Sequence, residues 1–143
     1  MSRRLFTSKM DGMSRAKRVH CCTACLHHQP ENFNRDCPSC GARDMRVCFP
    51  SKVEHLQGAL LIQRQVRGEI SRLRFHPKYK LVVEGSEVCT YTADAEYIEN
   101  GKTVVEDTKP DGFFTDKTAI VKIALFNALH KKHGIAVTLI RRK

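Results

Sequence analysis

The chain has 143 residues, enough for one modest domain and an appendage, and a formal net charge of +10. That balance favours a polyanionic partner, nucleic acid before membrane, and no apolar run is long enough to span a bilayer. The N-terminus shows no apolar segment of a secretory signal, so for the seven cysteines, four of them in paired C-x-x-C spacing, metal binding in a cytoplasmic protein is a better reading than disulfides.

In chain order, residues 1 to 19 form a basic arm. Arg3, Arg4, Lys9, Arg15, Lys17 and Arg18 stand against the single acid Asp11. The arm reads either as a set of phosphate contacts or as a solubilising tail. A zinc-ribbon module is expected over residues 20–50. Cys22-x-x-Cys25 is followed, eleven residues on, by Cys37-Pro-Ser-Cys40-Gly41. Two such knuckles suit one tetrahedral Zn²⁺ held by four thiolates, and the closed shell leaves no position for water, so the metal is structural. A module this small buries too little to fold without it. Cys21 has the wrong spacing for a knuckle. Cys48, on the ribbon's closing strand, and Cys89 read as buried free thiols.

Pro50-Ser51 opens a helix. Val53, Leu56, Leu60 and Ala59, Ile62, Val66 recur at spacings of three and four and predict its core face. Ser51 and Glu54 fit a capping box, and Gly68 ends the element. A strand follows over Tyr79–Val83, turned by Gly85-Ser86 into a strand that carries Asp94. Asn100-Gly101 is a tight-turn signal, after which residues 102–109 return. Pro110-Asp111-Gly112 is a loop, with Thr115 and Asp116 as helix N-cap candidates. The run Ala119–Leu129, apolar on nearly all sides, predicts a buried helix that ends near Lys131-Lys132-His133 and is capped by Gly134. A last strand is expected over Ile135–Ile140. Helix, three strands, helix and strand make an α/β body over residues 51–143.

The hairpin carries the chemistry. Side chains alternate along a strand, so Val105, Asp107 and Lys109 share one face and Val104, Glu106 and Thr108 the other. Asp94 stands between Ala93 and Ala95, where packing explains it poorly. Two acids and a lysine on paired strands suit a hard divalent cation beside a phosphate.

At Asp94 and Asp107-Thr108-Lys109, and more widely at Tyr91-Thr92-Ala93-Asp94 and Val105–Lys109, the chain resembles the PD-(D/E)XK, or restriction-endonuclease-like, nucleases. The small phage-encoded members, including junction-resolving endonucleases, are the most similar. Ala93 replaces the name-giving proline, Pro110 stands where glycine is common, and Asp107 replaces the commoner glutamate. The resemblance implies an αβββαβ core and a metal-dependent endodeoxyribonuclease. Asp94, Asp107 and Glu54 would hold Mg²⁺ or Mn²⁺, with the Thr108 carbonyl as an added ligand, and Lys109 would act beside the attacking water. Lys117 and Lys122 would approach DNA, although Lys122 also fits a lysine snorkelling from a core edge. Junction cleavage needs two active sites, hence a homodimer, and a phage-encoded enzyme would work in the bacterial cytoplasm. Two rival readings are a zinc-ribbon DNA-binding protein without catalysis and a zinc-bearing assembly factor.

Overall fold

The computed structural model describes residues 18–110 and 117–142, with the backbone alone at residues 109, 110, 141 and 142. The chain divides into two compact units, Met1–Ala59 and Leu60–Lys143, and the division falls inside a helix. The described residues make a mixed α/β protein of nine strands and two α-helices.

In the first unit β1 (Val19–Cys22), β2 (His28–Gln29) and β3 (Arg46–Phe49) form an antiparallel sheet in the order β2-β1-β3. Val19 pairs with Phe49 and Cys22 with Arg46, so Cys48 does lie on the closing strand. Cys48 and Cys89 are only half-buried; of the three cysteines outside the knuckles, Cys21 is the buried one. Helix α1 (Lys52–Val66) starts as its sequence predicts: the Glu54 N–H donates to Ser51 Oγ at 3.2 Å, and that hydroxyl donates to Glu54 Oε2 at 3.1 Å.

The buried face of α1 matches the expected one at Ile62 and departs from it elsewhere. His55, Gln57, Gly58, Leu61 and Ile62 are buried, whereas Leu56, Leu60 and Val66 are exposed. Gly58 explains the rotation in the first unit: the Phe49 ring occupies the space where a Cβ would stand. Only glycine admits so large a ring against the helix backbone, and that ring selects the inward face. At its other end α1 closes with Gly68 at positive φ, the Glu69 N–H on the Arg64 carbonyl and the Gly68 N–H on that of Gln65.

The second unit is built on a four-stranded sheet in the order β4 (Ser71–Phe75), β7 (Ala95–Glu99), β8 (Lys102–Pro110), β9 (Val137–Arg142). The first three run antiparallel, and β9 lies parallel to β8. A parallel neighbour needs a crossover, and α2 (Lys117–His130) supplies it. β5 (Lys78–Val83) and β6 (Ser86–Thr92) make a separate two-stranded hairpin. Sequence reading misses β4, whose Ser-Arg-Leu-Arg-Phe lacks a β-branched residue, and it joins two strands into one. The chain leaves β6 at Thr92, bends at Asp94 and enters β7 at Ala95, so Asp94 sits at a break and not mid-strand. The bend is fixed by the backbone: the Asp94 N–H donates to the Glu106 carbonyl, and the Asp94 carbonyl accepts from the His76 N–H, both at 3.0 Å. Asn100-Gly101 turns the chain as predicted, both residues at positive φ with Glu99 paired to Lys102.

Two apolar clusters lie on the two faces of β8. One gathers Leu81, Tyr91, Ala93, Val105, Ile123 and Phe126; the other gathers Leu61, Ile70, Ala95 and Tyr97, with Val104 against it. Helix α2 meets the first cluster through Ile123 and Phe126 alone among its fully buried residues. Ile120 and Val121 stay 43% and 64% exposed, so the helix is half-buried and not enclosed as its composition suggests.

Candidate functional site

In the first unit the sulfurs of Cys22, Cys25, Cys37 and Cys40 lie within 4.8 Å of one another. Cys22 and Cys40 are 3.8 Å apart, Cys25 and Cys37 3.7 Å. Four thiolates about 2.3 Å from a tetrahedral zinc would stand about 3.8 Å from each other, so the set is compatible with that ion. The knuckle backbone supports it. The His27 N–H donates to Cys25 Sγ and the Ser39 N–H to Cys37 Sγ, each at 3.4 Å. Burial opposes ionisation of Cys37, but N–H donation from Cys40 and Ser39 and the neighbouring thiols outweigh it and bring the thiol down to about 6. Cys21 is no part of the cluster. Burial first, and the neighbouring thiols second, push it up to about 11, and its thiol donates to its neighbour's carbonyl.

In the second unit the bend before β7 and strand β8 present the acids. Asp94 Oδ2 accepts the Thr108 N–H at 2.5 Å, which ties the bend to β8 one residue beyond Asp107. Asp107 is buried, 3% exposed, and its Oδ2 accepts from the Tyr91 hydroxyl at 3.1 Å. Burial raises the Tyr91 phenol above its ordinary range; the Asp107 charge adds to this, and Asp94 contributes as well. Both carboxylates therefore lie within electrostatic reach of one hydroxyl. Glu106, the neighbour of Asp107, faces the other way. It too is buried, and its Oε1 accepts from the Tyr97 hydroxyl at 2.5 Å.

The remaining predicted residues are placed as follows. Glu54 lies in the first unit at the start of α1, bonded to Ser51. Lys109 continues β8 opposite Arg141 of β9. On α2, Lys117 is exposed and Lys122 half-buried. Arg18, just before β1, is exposed, whereas Arg3, Arg4, Lys9, Arg15, Lys17, Thr115 and Asp116 lie outside the described residues. Sequence reading missed Tyr91 and Tyr97 as partners of the acids. The signal available was their alternation with Asp94 and Glu96, but which acid each meets depends on strand register. No helix among the described residues is long and apolar enough to cross a membrane.

Asp107 is buried on β8 and Asp94 half-buried at the bend before β7, and a buried carboxylate is costly unless hydrogen-bonded or neutralised. The Thr108 N–H on Asp94 and the Tyr91 hydroxyl on Asp107 help to meet that cost. Comparison with protein-family models, with curated proteins and with solved structures finds no match for this chain.

Proposed function

We propose that this protein is a divalent-metal-dependent DNA endonuclease of the restriction-endonuclease-like kind, with a structural zinc in its thiol cluster. The convergence of Asp94 and Asp107 carries this reading: one is anchored on the Thr108 N–H, the other buried against Tyr91. The strand order supports it. With the β5–β6 hairpin set aside as an insertion, the chain runs helix, three antiparallel strands, helix, parallel strand, the αβββαβ order that the resemblance implies.

Asp94 and Asp107 would hold Mg²⁺ or Mn²⁺, and Glu54, which lies in the first unit, is left as the helix cap it forms with Ser51. That ion, when bound, polarises the scissile phosphate and lowers the pKa of a water. The chain's own residues do the rest. Tyr91 orients Asp107 by donating to one oxygen, and the Thr108 N–H does the same for Asp94. Lys109, two residues beyond Asp107, positions the nucleophile and stabilises the charge that gathers on phosphate. Cleavage of branched DNA requires two such sites, which a homodimer provides.

The test is incubation with branched, duplex and single-stranded DNA, with and without Mg²⁺ or Mn²⁺. Metal-dependent scission by the parent protein, lost in Asp107→Asn, supports the reading. Binding without scission under every condition would favour a zinc-ribbon DNA-binding protein, the alternative that the four gathered thiols keep in view.

A further inference from the structure

Beside the thiol cluster the first unit has an open cavity of about 550 Å³, lined by Asn32, Phe33, Asn34, Arg35, Asp44 and Arg46. Its volume falls within the range of small-ligand sites. Its walls are two short segments. Phe33 packs on Cys22 and Cys37 and forms the apolar wall. The Asp44 N–H donates to the Arg35 carbonyl at 2.8 Å and closes the loop between the walls. Two asparagines, two arginines and one acid line the cavity together with Phe33. That acid forms an exposed ion pair with Arg35, Asp44 Oδ1 lying 3.8 Å from Arg35 Nε. Arg46 Nη1 donates to His20 Nδ1 at 3.0 Å. Arg18 is within electrostatic reach of the same histidine, so the positive charge extends beyond the cavity.

We propose that this cavity is a subsite for one nucleotide of an unpaired DNA strand, a proposal that rests on the reading of the chain as a DNA-binding protein. Arginines are planar donors that grip phosphate or the guanine edge, and asparagine amides both donate to and accept from base edges. A base splayed out of a duplex or lying in a single strand offers the face and edge that such a cavity takes up, whereas a stacked, paired base does not. The zinc ribbon would thus read unpaired DNA, and the carboxylate pair of the second unit would cut. Because Phe33 leans on two of the four cysteines, loss of the metal would also open the apolar wall.

The test uses the full chain, zinc-loaded, without added Mg²⁺ or Mn²⁺ so that no cleavage occurs. Fluorescence anisotropy is read with a labelled single-stranded oligonucleotide and with its blunt duplex, across a salt series. Arg35→Ala combined with Arg46→Ala should weaken single-strand binding about tenfold or more and flatten the salt dependence by about 0.7 in log–log slope for each phosphate that the variant no longer neutralises. Asn32→Ala with Asn34→Ala should leave the slope alone and reduce discrimination among oligonucleotides of different base. Arg46→Lys, which keeps the charge, guards against a folding artefact, and zinc content and melting temperature are measured on every variant. Unchanged single-strand affinity in well-folded arginine variants overturns the subsite, as does a parent protein that binds duplex as tightly as single strand. Asp107→Asn is run alongside. If it binds normally and the parent never cleaves, the nuclease reading falls while the subsite stands.

Discussion

Asp107 and Glu106 are adjacent acids, both 3% exposed, each meeting a different tyrosine on a different face of β8. Their substitution therefore separates chemistry from stability. Asp107→Asn keeps the volume and a partner for Tyr91, so cleavage should fall by orders of magnitude, by about the 10²–10³ that one transition-state contact supplies or more, with little change in melting temperature. Glu106→Gln should cleave like the parent. Glu106→Ala should destabilise by about 1–3 kcal/mol, because the Tyr97 hydroxyl loses its buried acceptor. If Glu106→Gln is inactive and Asp107→Asn active, the assignment of faces is wrong. A second residue reports on pH. His55 Nε2 is buried with no hydrogen-bond partner among the described residues, and its ring packs 4.5 Å from His28 and 5.7 Å from Phe49. Burial, then the His28 charge, holds His55 below the ordinary imidazole value. The folded chain thus takes up this proton later than the unfolded chain on acidification. Its contribution is full above about pH 6.5 and is lost as pH falls below that. The zinc-loaded His55→Phe variant should show a shallower fall in melting temperature between pH 7 and 5.5 than the parent; a parallel fall would remove His55 from the acid response. The acids of the hairpin were legible in the sequence because alternation along a strand is a local rule. Their tyrosine partners were not, since they depend on which strand lies opposite which.

At the scale of elements, α1 shows how far periodicity reaches. Apolar spacing announced the helix, and Ser51 and Gly68 announced its ends, but the inward face follows Gly58 and the Phe49 ring, a contact that no pattern within the helix encodes. Glycine to alanine within a helix ordinarily gains up to about 1 kcal/mol. Gly58→Ala should instead destabilise, by about 1–3 kcal/mol, because the new methyl falls on the Phe49 ring. Chemical denaturation measures the sign, and a stabilised Gly58→Ala would mean that the ring yields without cost. The same limit accounts for β4 and for the break at Asp94. β4 is a strand because β7 pairs with it, and the bend exists because the Glu106 carbonyl captures the Asp94 N–H. Neither partner is near in sequence. The tight turn at Asn100-Gly101 needs no distant partner, so its signal is complete in the local sequence.

For the whole molecule, the thiol cluster was the most legible feature, since two knuckles bring four sulfurs together by local turn chemistry once the strands align them. The purified chain should carry about one zinc per molecule, measured by elemental analysis. Cys37→Ser should lower that content and loosen β1–β3, seen as faster amide exchange there. A full-length chain that binds no zinc yet protects those amides would remove the metal from the fold. The boundary between units was not legible, because a continuous helix hides it.

The back-to-back arrangement of β8 bears on how the chain tolerates changes of length. A residue inserted or deleted between Val104 and Thr108 would hand Asp107's place to a neighbour and leave one tyrosine without its acid and one acid among apolar side chains. A residue added at Glu84-Gly85, the exposed tip of the β5–β6 hairpin, would disturb neither cluster. One-residue insertions after Gly85 should therefore yield soluble, folded protein, and insertions after Val105 should not, as read by expression and thermal melting. Natural variation in length would accumulate at that tip, and β8 would keep its length while its exposed residues drift.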